Sequence, residues 1–433
     1  MGVLMLGMLI PLGMIQSVVS ERTTRRDAAL QEISTTWGGF QTVGGPVLTV
    51  PYVHQWTDQD GVSRHAQVRA YFLPETLGVT GTIEPLVLGR GLFKVVVYRS
   101  HLAIAGAFTR PDLTNVRPTP SQVLWDDATI NVGIGDPRGL SKRLTVNWIG
   151  RDLPLEPGAE DVAIFSAGLH ARTPGLATVA ERTALRFTLE VDLNGSRDLR
   201  FLPTGSETSV QLNSVWPHPG FIGAPLPASR EIGASGFSAR WTVPYFSRGY
   251  PPQWTNSTID RGQMKTQADA SSFGVSLVQP VDIYQQAERA VKYAVLFIVM
   301  TFVVFFLWEI GRSRLLHPIQ YLFVGFAMCV FYLLLVSLSE HLGFDIAYVS
   351  ASVATTALIA LYSAHVLGGL LEGAAMAGEV AATYGFLYLL LRLEDYALLA
   401  GSIGLFTMLA VLMYVTRRVN WYELRLGEAG GGT

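Results

Sequence analysis

The stretch LRLEDYALLAGSIGLF, residues 391–406, decides how the C-terminal part of this chain is interpreted. Three charged residues, Arg392, Glu394 and Asp395, stand between two strongly apolar runs. They form either a water-exposed turn between two membrane helices or a charged site inside the membrane. The choice sets the number of membrane helices, and with it the side of the membrane on which the polar middle of the chain lies.

The apolar runs of the chain favour the first interpretation. About half of the residues (49%) are hydrophobic and only 15% are charged, which is typical of a membrane protein. A helix needs roughly 20 apolar residues to cross about 30 Å of hydrocarbon. Six segments reach or approach that length: residues 3–19, 293–308, 321–339, 346–367, 374–391 and 396–416. The sequence therefore predicts one membrane helix at the N-terminus and five at the C-terminus.

The basic residues of the short connections predict the orientation. The loop GRSRLLHPIQ carries two arginines and the tail begins with Arg417 and Arg418, whereas the loop EHLGFD has no Lys or Arg. Because cytoplasmic loops are enriched in Lys and Arg, the C-terminal tail is predicted to be cytoplasmic. Arg392, Glu394 and Asp395 then form a short turn on the outer face.

The first helix has two possible interpretations. A secretory signal peptide would be cleaved near Val18-Val19-Ser20, but the chain has no basic residue before the apolar run, and that run is long. The polar stretch ERTTRRDAALQEIS keeps helical character after it, which favours an uncleaved anchor.

The middle of the chain has the alternation of strands. In ALRFTLEVDL, residues 184–193, apolar and polar side chains alternate, and Asn194-Gly195 follows as a favoured two-residue hairpin turn. Other short strand candidates are separated by Gly, Pro and Asp, which indicates an antiparallel β-sandwich-like domain between helices 1 and 2. The predicted domains are a membrane helix (residues 1–20), a mostly β domain with a helical extension (21–288), a five-helix bundle (289–418) and a tail (419–433).

Several long blocks of this sequence resemble one known family. WGGFQTVGGPVLTVPY, FLPTGSETSVQLNSVWPHPGFIGAPLPASREI, HPIQYLFVGFAMCVFYLLLVSLSEHLGFDIAYVSA and LRLEDYALLAGS are similar to the CreD family of bacterial inner-membrane proteins. The resemblance implies a multi-pass protein of the Gram-negative inner membrane with a large periplasmic domain and a role in cell-envelope integrity or the response to envelope stress. It implies no catalytic residue. This chain departs from the family pattern in having almost no segment before its first helix.

Composition and motifs argue against several classes of protein. A net charge of −2 gives no reason to expect a nucleic-acid partner. The single cysteine, Cys329, allows no intrachain disulfide, and the eight histidines show no metal-ligand spacing. The sequence therefore predicts no cofactor, no metal site and no enzymatic activity.

Two groups of polar residues near the predicted helix ends are candidate sites. His365 and Glu379 lie on the fourth and fifth helices, and an ionisable residue at membrane depth is a functional candidate by default. The alternative is that both side chains reach the interface and are solvated. The second group is an outer rim consisting of Glu340, His341, Arg392, Glu394 and Asp395.

The outer rim has a functional and a simple interpretation. Its acids could dock the β domain on the bundle through the arginines that follow the first helix: Arg22, Arg25 and Arg26. The simple alternative is a set of solvated loop charges.

Three functions fit these features. The first is an envelope protein whose periplasmic β domain binds an envelope component or a protein partner, with membrane lipids around its helices. The second is transport or handling of a lipid or small molecule by the bundle, which would need discontinuous helices or an inward-facing polar lining. The third is a membrane enzyme built on the outer rim, which would need its acids close together. The first is favoured; the oligomeric state cannot be predicted.

Overall fold

The computed structural model describes residues 2–159, 162–179, 183–278, 283–312, 316–393 and 396–417. Contacts divide the chain into two compact units. The helix bundle consists of Met1–Asp27 and Val281–Thr433, and the β domain consists of Ala28–Pro280. The predicted domain boundaries at residues 20, 288 and 418 stay predictions.

Seven α-helices lie in the described part of the chain. The short α2 belongs to the β domain, and the other six are long and apolar enough to cross a membrane. Their bounds are α1 (Gly2–Trp37), α2 (Arg261–Ser271), α3 (Ile283–Arg312), α4 (Pro318–Leu342), α5 (Phe344–Leu367), α6 (Leu370–Arg392) and α7 (Ala397–Thr416). The prediction of one N-terminal and five C-terminal spanning helices is confirmed.

Small residues allow the helices of the bundle to approach closely. A Cβ atom added at Gly373 of α6 would lie 2.6 Å from Ala364 Cβ and 2.8 Å from Ala360 O, both on α5. One added at Gly325 of α4 would lie 2.7 Å from Met8 Sδ. Close backbone approach at small residues is the usual way in which membrane helices pack, because hydrocarbon provides no hydrophobic force between them.

The β domain contains two mixed sheets. The first nine strands are β1 (Gln41–Thr57), β2 (Ser63–Phe72), β3 (Thr76–Arg90), β4 (Phe93–Phe108), β5 (Gln122–Val123), β6 (Thr129–Ile134), β7 (Thr145–Trp148), β8 (Arg151–Pro154) and β9 (Glu156–Pro157). The others are β10 (Gly168–Arg172), β11 (Leu185–Ser196), β12 (Asp198–Phe201), β13 (Glu207–Ser214), β14 (Pro219–Gly223), β15 (Ser229–Gly233), β16 (Gly236–Pro244), β17 (Gln253–Thr255) and β18 (Phe273–Leu277).

The two sheets pack face to face around one core. The order of the first sheet is β14-β18-β12-β1-β6-β10-β9, with β2 and β5 also paired to β1, and β17 to β2. The order of the second is β15-β16-β13-β3-β4-β11-β7-β8. Trp241 of β16 and Phe273 of β18 are fully buried, and their ring centroids lie 5.9 Å apart, so the sheets meet through aromatic side chains. The predicted sandwich is confirmed, and each sheet also contains one parallel pair, β1 with β12 and β3 with β13.

The predicted hairpin at Asn194-Gly195 is wrong. Strand β11 runs straight through these residues to Ser196, pairing with β4, and the chain turns only at Arg197, where φ is 60°. Strand β12 then joins the other sheet. Gly195 is needed here for close packing, because an added Cβ atom would lie 2.3 Å from the Tyr98 hydroxyl oxygen.

The end of α1 packs on the β3–β4 hairpin within the β domain. The Trp37 indole N–H donates a hydrogen bond to Tyr98 O at 3.1 Å, and the Arg99 guanidinium lies 5.7 Å from the Trp37 ring centroid. Glu32 forms an ion pair with Arg90 near the tip of the hairpin. These contacts fix the last turns of α1 to the second sheet.

Candidate functional site

Glu379 is a carboxyl group inside an apolar helix. It lies nine residues after the start of α6, about 14 Å along the helix axis. Thr301 of α3 donates a hydrogen bond to Glu379 Oε1 at 3.2 Å, and Thr383 donates one to the same oxygen at 3.2 Å. The Thr301 side chain is fully buried, so its hydroxyl group is positioned by the α3–α6 contact.

A cavity of about 820 Å³ opens beside this carboxyl group, between α3, α6 and α7. Its walls are mostly apolar and include Phe297, Trp308, Phe386 and Leu405, and Glu379 is the one ionisable group among the described lining residues. Cavities of about 300–1,000 Å³ with few polar groups are typical small-molecule sites. The site is therefore an apolar cavity with one acidic residue, Glu379, in its lining.

His365 lies elsewhere on the bundle surface. It is exposed in the last turn of α5, which ends before Gly368 in the left-handed conformation (φ 84°). A basic residue there is favourable at the negative end of the helix dipole. The hydrogen bonds of Glu379 to residues in the described ranges go to Thr301 and Thr383, and the pairing of His365 with Glu379 stays a prediction.

Glu340, from the predicted outer rim, joins three helices of the bundle. Its side chain is only 6% exposed, lies 3.6 Å from Arg22 Nε of α1, and accepts a hydrogen bond from the Tyr284 hydroxyl of α3 at 3.0 Å. We call Arg22, Tyr284 and Glu340 the Glu340 clasp. A carboxylate with so little water around it depends on these partners for its stability.

Replacing Arg22 by glutamine is expected to destabilise the helix bundle by about 1 to 3 kcal/mol, because it removes the positive charge that lies 3.6 Å from the buried Glu340 carboxylate. The double variant with Glu340→Gln should recover part of the loss. The measurement is labelling of the buried Cys329 thiol by a maleimide during denaturation. The matched control is Arg25→Gln: Arg25 pairs with exposed Glu21 and should change stability by no more than about 0.5 kcal/mol. Equal effects of the two single variants would contradict the prediction.

Arg392 pairs across the α5–α6 hairpin. Its Nη2 atom lies 2.6 Å from Asp345 Oδ2, and Tyr388 O–H donates to Asp345 Oδ1 at 3.1 Å. Helix α6 ends at Arg392 and α7 begins at Ala397. Glu394 and Asp395 lie outside the described residues.

The remaining rim residue and the arginines of α1 have separate surroundings. His341 is exposed in the last turn of α4. Arg26 pairs with Asp27 at 2.8 Å, and its guanidinium lies 6.0 Å from the Tyr284 ring centroid. Docking of the β domain through the outer rim and these arginines stays a prediction, and an enzyme site there stays the alternative that was not favoured.

Two polar residues of the bundle, Thr301 and Glu309, make contacts that were not predicted from the sequence. Thr301 is the one Ser or Thr residue in the apolar run YAVLFIVMTFVVFFLW, a signal that could have marked it. Glu309 accepts a hydrogen bond from the Tyr321 hydroxyl at 2.6 Å and from Leu316 N at 3.2 Å, which joins α3 to α4. Its position at a helix end, just before a basic loop, resembles that of an ordinary solvated acid.

The β domain carries an exposed pair of aromatic side chains. Tyr245 and Phe246, which we call the aromatic tip, are 60% and 74% exposed, and their rings meet edge to face at 5.7 Å. Tyr245 N donates to Ser206 O at 2.9 Å. The tip is therefore an exposed apolar feature on a fixed backbone.

A buried arginine holds the base of the tip. Arg248 Nη1 donates to Thr204 O at 2.6 Å and to Gly205 O at 3.1 Å. The loss of water around the guanidinium lowers the pKa of Arg248 from its usual value. Such a group stays charged in proteins, so both bonds are charge-assisted.

Metal ligands do not gather in the residues that the structure describes: no group of three or more His, Cys, Asp or Glu side chains there could hold an ion.

Together, the six spanning helices and the sandwich inserted after the first of them define a multi-pass membrane protein with a large β domain. A family model described as inner membrane protein CreD matches residues 1–422, and the chain belongs to this family. It is an inner-membrane protein, in a family not named for an enzymatic activity. The resemblance seen in the sequence is thereby confirmed.

Two known proteins illustrate the range of similarity. Inner membrane protein CreD of Escherichia coli strain K12 is 32% identical over 422 residues, which cover 97% of this chain and 92% of that protein. A solved M1 zinc metallopeptidase from Deinococcus radiodurans is 11% identical and covers 41% of each chain with a TM-score of 0.19, a likeness that carries no argument.

Proposed function

We propose that this protein maintains the integrity of the cell envelope from the inner membrane, or responds to envelope stress there. Its β domain lies in the periplasm and binds an envelope component or a protein partner, and its C-terminus lies in the cytoplasm. Membership of the CreD family supports the membrane part of the proposal. The lack of Lys and Arg in the connection from α4 to α5, against the arginines after α3 and α7, supports the orientation.

The aromatic tip is the observation that carries the binding role. Isolated exposed apolar residues are common on proteins, but two adjacent aromatic rings on a fixed backbone are unusual. Aromatic side chains contribute much of the energy of protein interfaces because they bury a large area with few rotatable bonds. The tip therefore fits a contact with a partner that covers both rings.

Replacing both Tyr245 and Phe246 by serine is expected to abolish most of the protection that the protein gives its cell. In a strain that lacks the gene, the measurement is uptake of a membrane-impermeant dye under detergent stress after re-expression of each variant. The control replaces two other exposed apolar residues of the β domain, Val215→Ser and Leu226→Ser, which are 69% and 64% exposed. Full protection by the tip variant would contradict the binding role.

The orientation has its own experiment. In a Cys329→Ser background, Phe246→Cys should react with a membrane-impermeant maleimide once the outer membrane is permeabilised. Labelling only after the inner membrane is lysed would place the tip in the cytoplasm and contradict the proposal.

A second candidate function is the handling of a lipid or small molecule by the bundle. The cavity beside Glu379 favours it, because one carboxyl group stands on its otherwise mostly apolar lining. Helices α6 and α7 run without a break through Gly378 and Gly401, so the broken-helix type of transporter does not fit.

Native mass spectrometry of the full-length protein tests this function. A stoichiometric bound molecule should be present on the wild-type protein and absent from the cavity-filling variant Ala382→Phe. A wild-type protein without any bound molecule would contradict the function.

A further inference from the structure

The cavity between α3, α6 and α7 has one carboxyl group on a mostly apolar lining. Its apolar lining accommodates a hydrocarbon body, and Glu379 places one carboxyl group on that lining. The described lining residues include no Lys, Arg or His that could bind a phosphate or carboxylate group. An anionic head group would meet only repulsion from Glu379, whereas a cationic one would meet its opposite charge.

The hydrogen bonds that Glu379 receives from the described residues come from neutral hydroxyl groups. Thr301 and Thr383 donate neutral hydroxyl hydrogen bonds to the same oxygen, Oε1, at 3.2 Å each, and the Thr301 hydroxyl lies at 3.5 Å from Oε2. Two hydroxyl groups orient a carboxylate, but an ionised group among apolar side chains also needs an opposite charge nearby. The second oxygen, Oε2, has the weaker contact and belongs to a residue that lines the cavity.

The depth of Glu379 restricts the form of the molecule. The Cα atom of Glu379 lies about 14 Å along the axis from the start of α6, a 23-residue helix long enough to cross roughly 30 Å of hydrocarbon. The head group of a bilayer phospholipid stays at the interface and carries a phosphate as well. A single charged nitrogen on an apolar body fits both the depth and the sign of the charge.

We propose that this cavity binds an amphipathic molecule with one protonated amine, held by Glu379, and an apolar body that fills the space between α3, α6 and α7. The inference rests on the second proposed function and names the chemical class of the molecule. Trp308 lines the same cavity, so it lies within reach of the bound body.

The test uses three probes with the same brominated chain, because bromine quenches tryptophan fluorescence on contact. The probes are 11-bromoundecylamine, 11-bromoundecanol and 11-bromoundecanoate, titrated into the full-length protein in nanodiscs of phosphatidylcholine. The difference in quenching between the wild-type protein and Trp308→Phe isolates the signal of the cavity. We expect saturable quenching by the amine at a concentration at least about tenfold below that of the alcohol, and none by the carboxylate.

Two variants distinguish the contribution of the Glu379 charge from that of the cavity volume. Glu379→Gln keeps the size and the hydrogen-bonding capacity and should weaken amine binding at least about tenfold, with no change for the alcohol. Ala382→Phe fills the cavity and should abolish quenching by both probes. The matched control is Glu288→Gln, a partly exposed carboxylate of α3 that pairs with Lys292 at 2.9 Å and should change nothing. Protection of Cys329 from maleimide reports that each variant is folded.

The outcomes separate the two levels of the proposal. Equal binding of amine and alcohol, unchanged in Glu379→Gln, would overturn the inference while small-molecule handling remains supported. Lack of saturable quenching by any probe would overturn both. A tenfold preference for the amine that Glu379→Gln removes and Glu288→Gln leaves intact supports both.

Discussion

Replacing Arg248 by leucine is expected to lower the free energy of unfolding of the β domain by about 2 to 4 kcal/mol. The buried guanidinium donates charge-assisted hydrogen bonds to Thr204 O and Gly205 O. A hydrogen bond that involves a charged group contributes about 1.5–3 kcal/mol to stability. Leucine leaves both carbonyl groups without this donor. The change is measured by denaturing the full-length protein in detergent and monitoring its tryptophan fluorescence.

The surface of the same domain supplies the control for Arg248. Arg240 on β16 donates a hydrogen bond to Gln211 Oε1 at 2.6 Å but is exposed, so Arg240→Leu should change stability by about 0.5 kcal/mol or less. Hydrogen exchange of the backbone amides around the aromatic tip should be faster in Arg248→Leu but not in Arg240→Leu. Wild-type stability of Arg248→Leu would mean that the guanidinium does not hold this loop.

Replacing Gly373 by leucine is expected to destabilise the helix bundle by about 1 to 3 kcal/mol. The space for a side chain is occupied by Ala364 Cβ at 2.6 Å and by the Ala360 backbone oxygen at 2.8 Å, and a backbone atom cannot rotate away. Helices α5 and α6 must therefore separate. The rate at which a maleimide reaches the buried Cys329 thiol on heating measures the loss.

Gly378 is the matched control on the same helix. A Cβ atom added there meets nothing within 4 Å, so Gly378→Leu should leave the labelling of Cys329 unchanged or slow it, because leucine has the higher helix propensity. If both glycine variants unfold alike, the cause is the loss of a flexible residue and not the close approach of two helices.

The sequence predicted the local part of the fold. Long apolar runs identify spanning helices without knowledge of their neighbours, and the alternation in β11 matches its buried Leu185, Phe187 and Leu189. The route of β11 past Asn194-Gly195 could not be predicted, because it depends on Tyr98, a residue distant in the chain that occupies the space beside Gly195. The parallel pairing of β1 with β12 is likewise long-range.

The candidate sites divide in the same way. Glu379 stood out in the sequence because an acid in an apolar helix is rare, whereas its partner Thr301 and the cavity arise from packing of α3, α6 and α7. Glu340 was predicted as a rim residue and Arg22 as one of three candidate partners of the rim acids, but that these two meet within the bundle required the arrangement of α1 against α4. The aromatic tip was not predicted, since exposed and buried aromatic residues look the same in a sequence.

The position of β12 has a consequence for how the chain is synthesised. In the first sheet β12 lies between β1, made early, and β18, made just before α3. Hairpins such as β3–β4 can form as they leave the ribosome, but the middle of this sheet cannot be completed until residues 273–277 have been made. Until then β12 has an open edge, which invites pairing with other chains. A chain synthesised only as far as residue 272 therefore lacks the strand that joins β12 to β14, and its first sheet is unfinished.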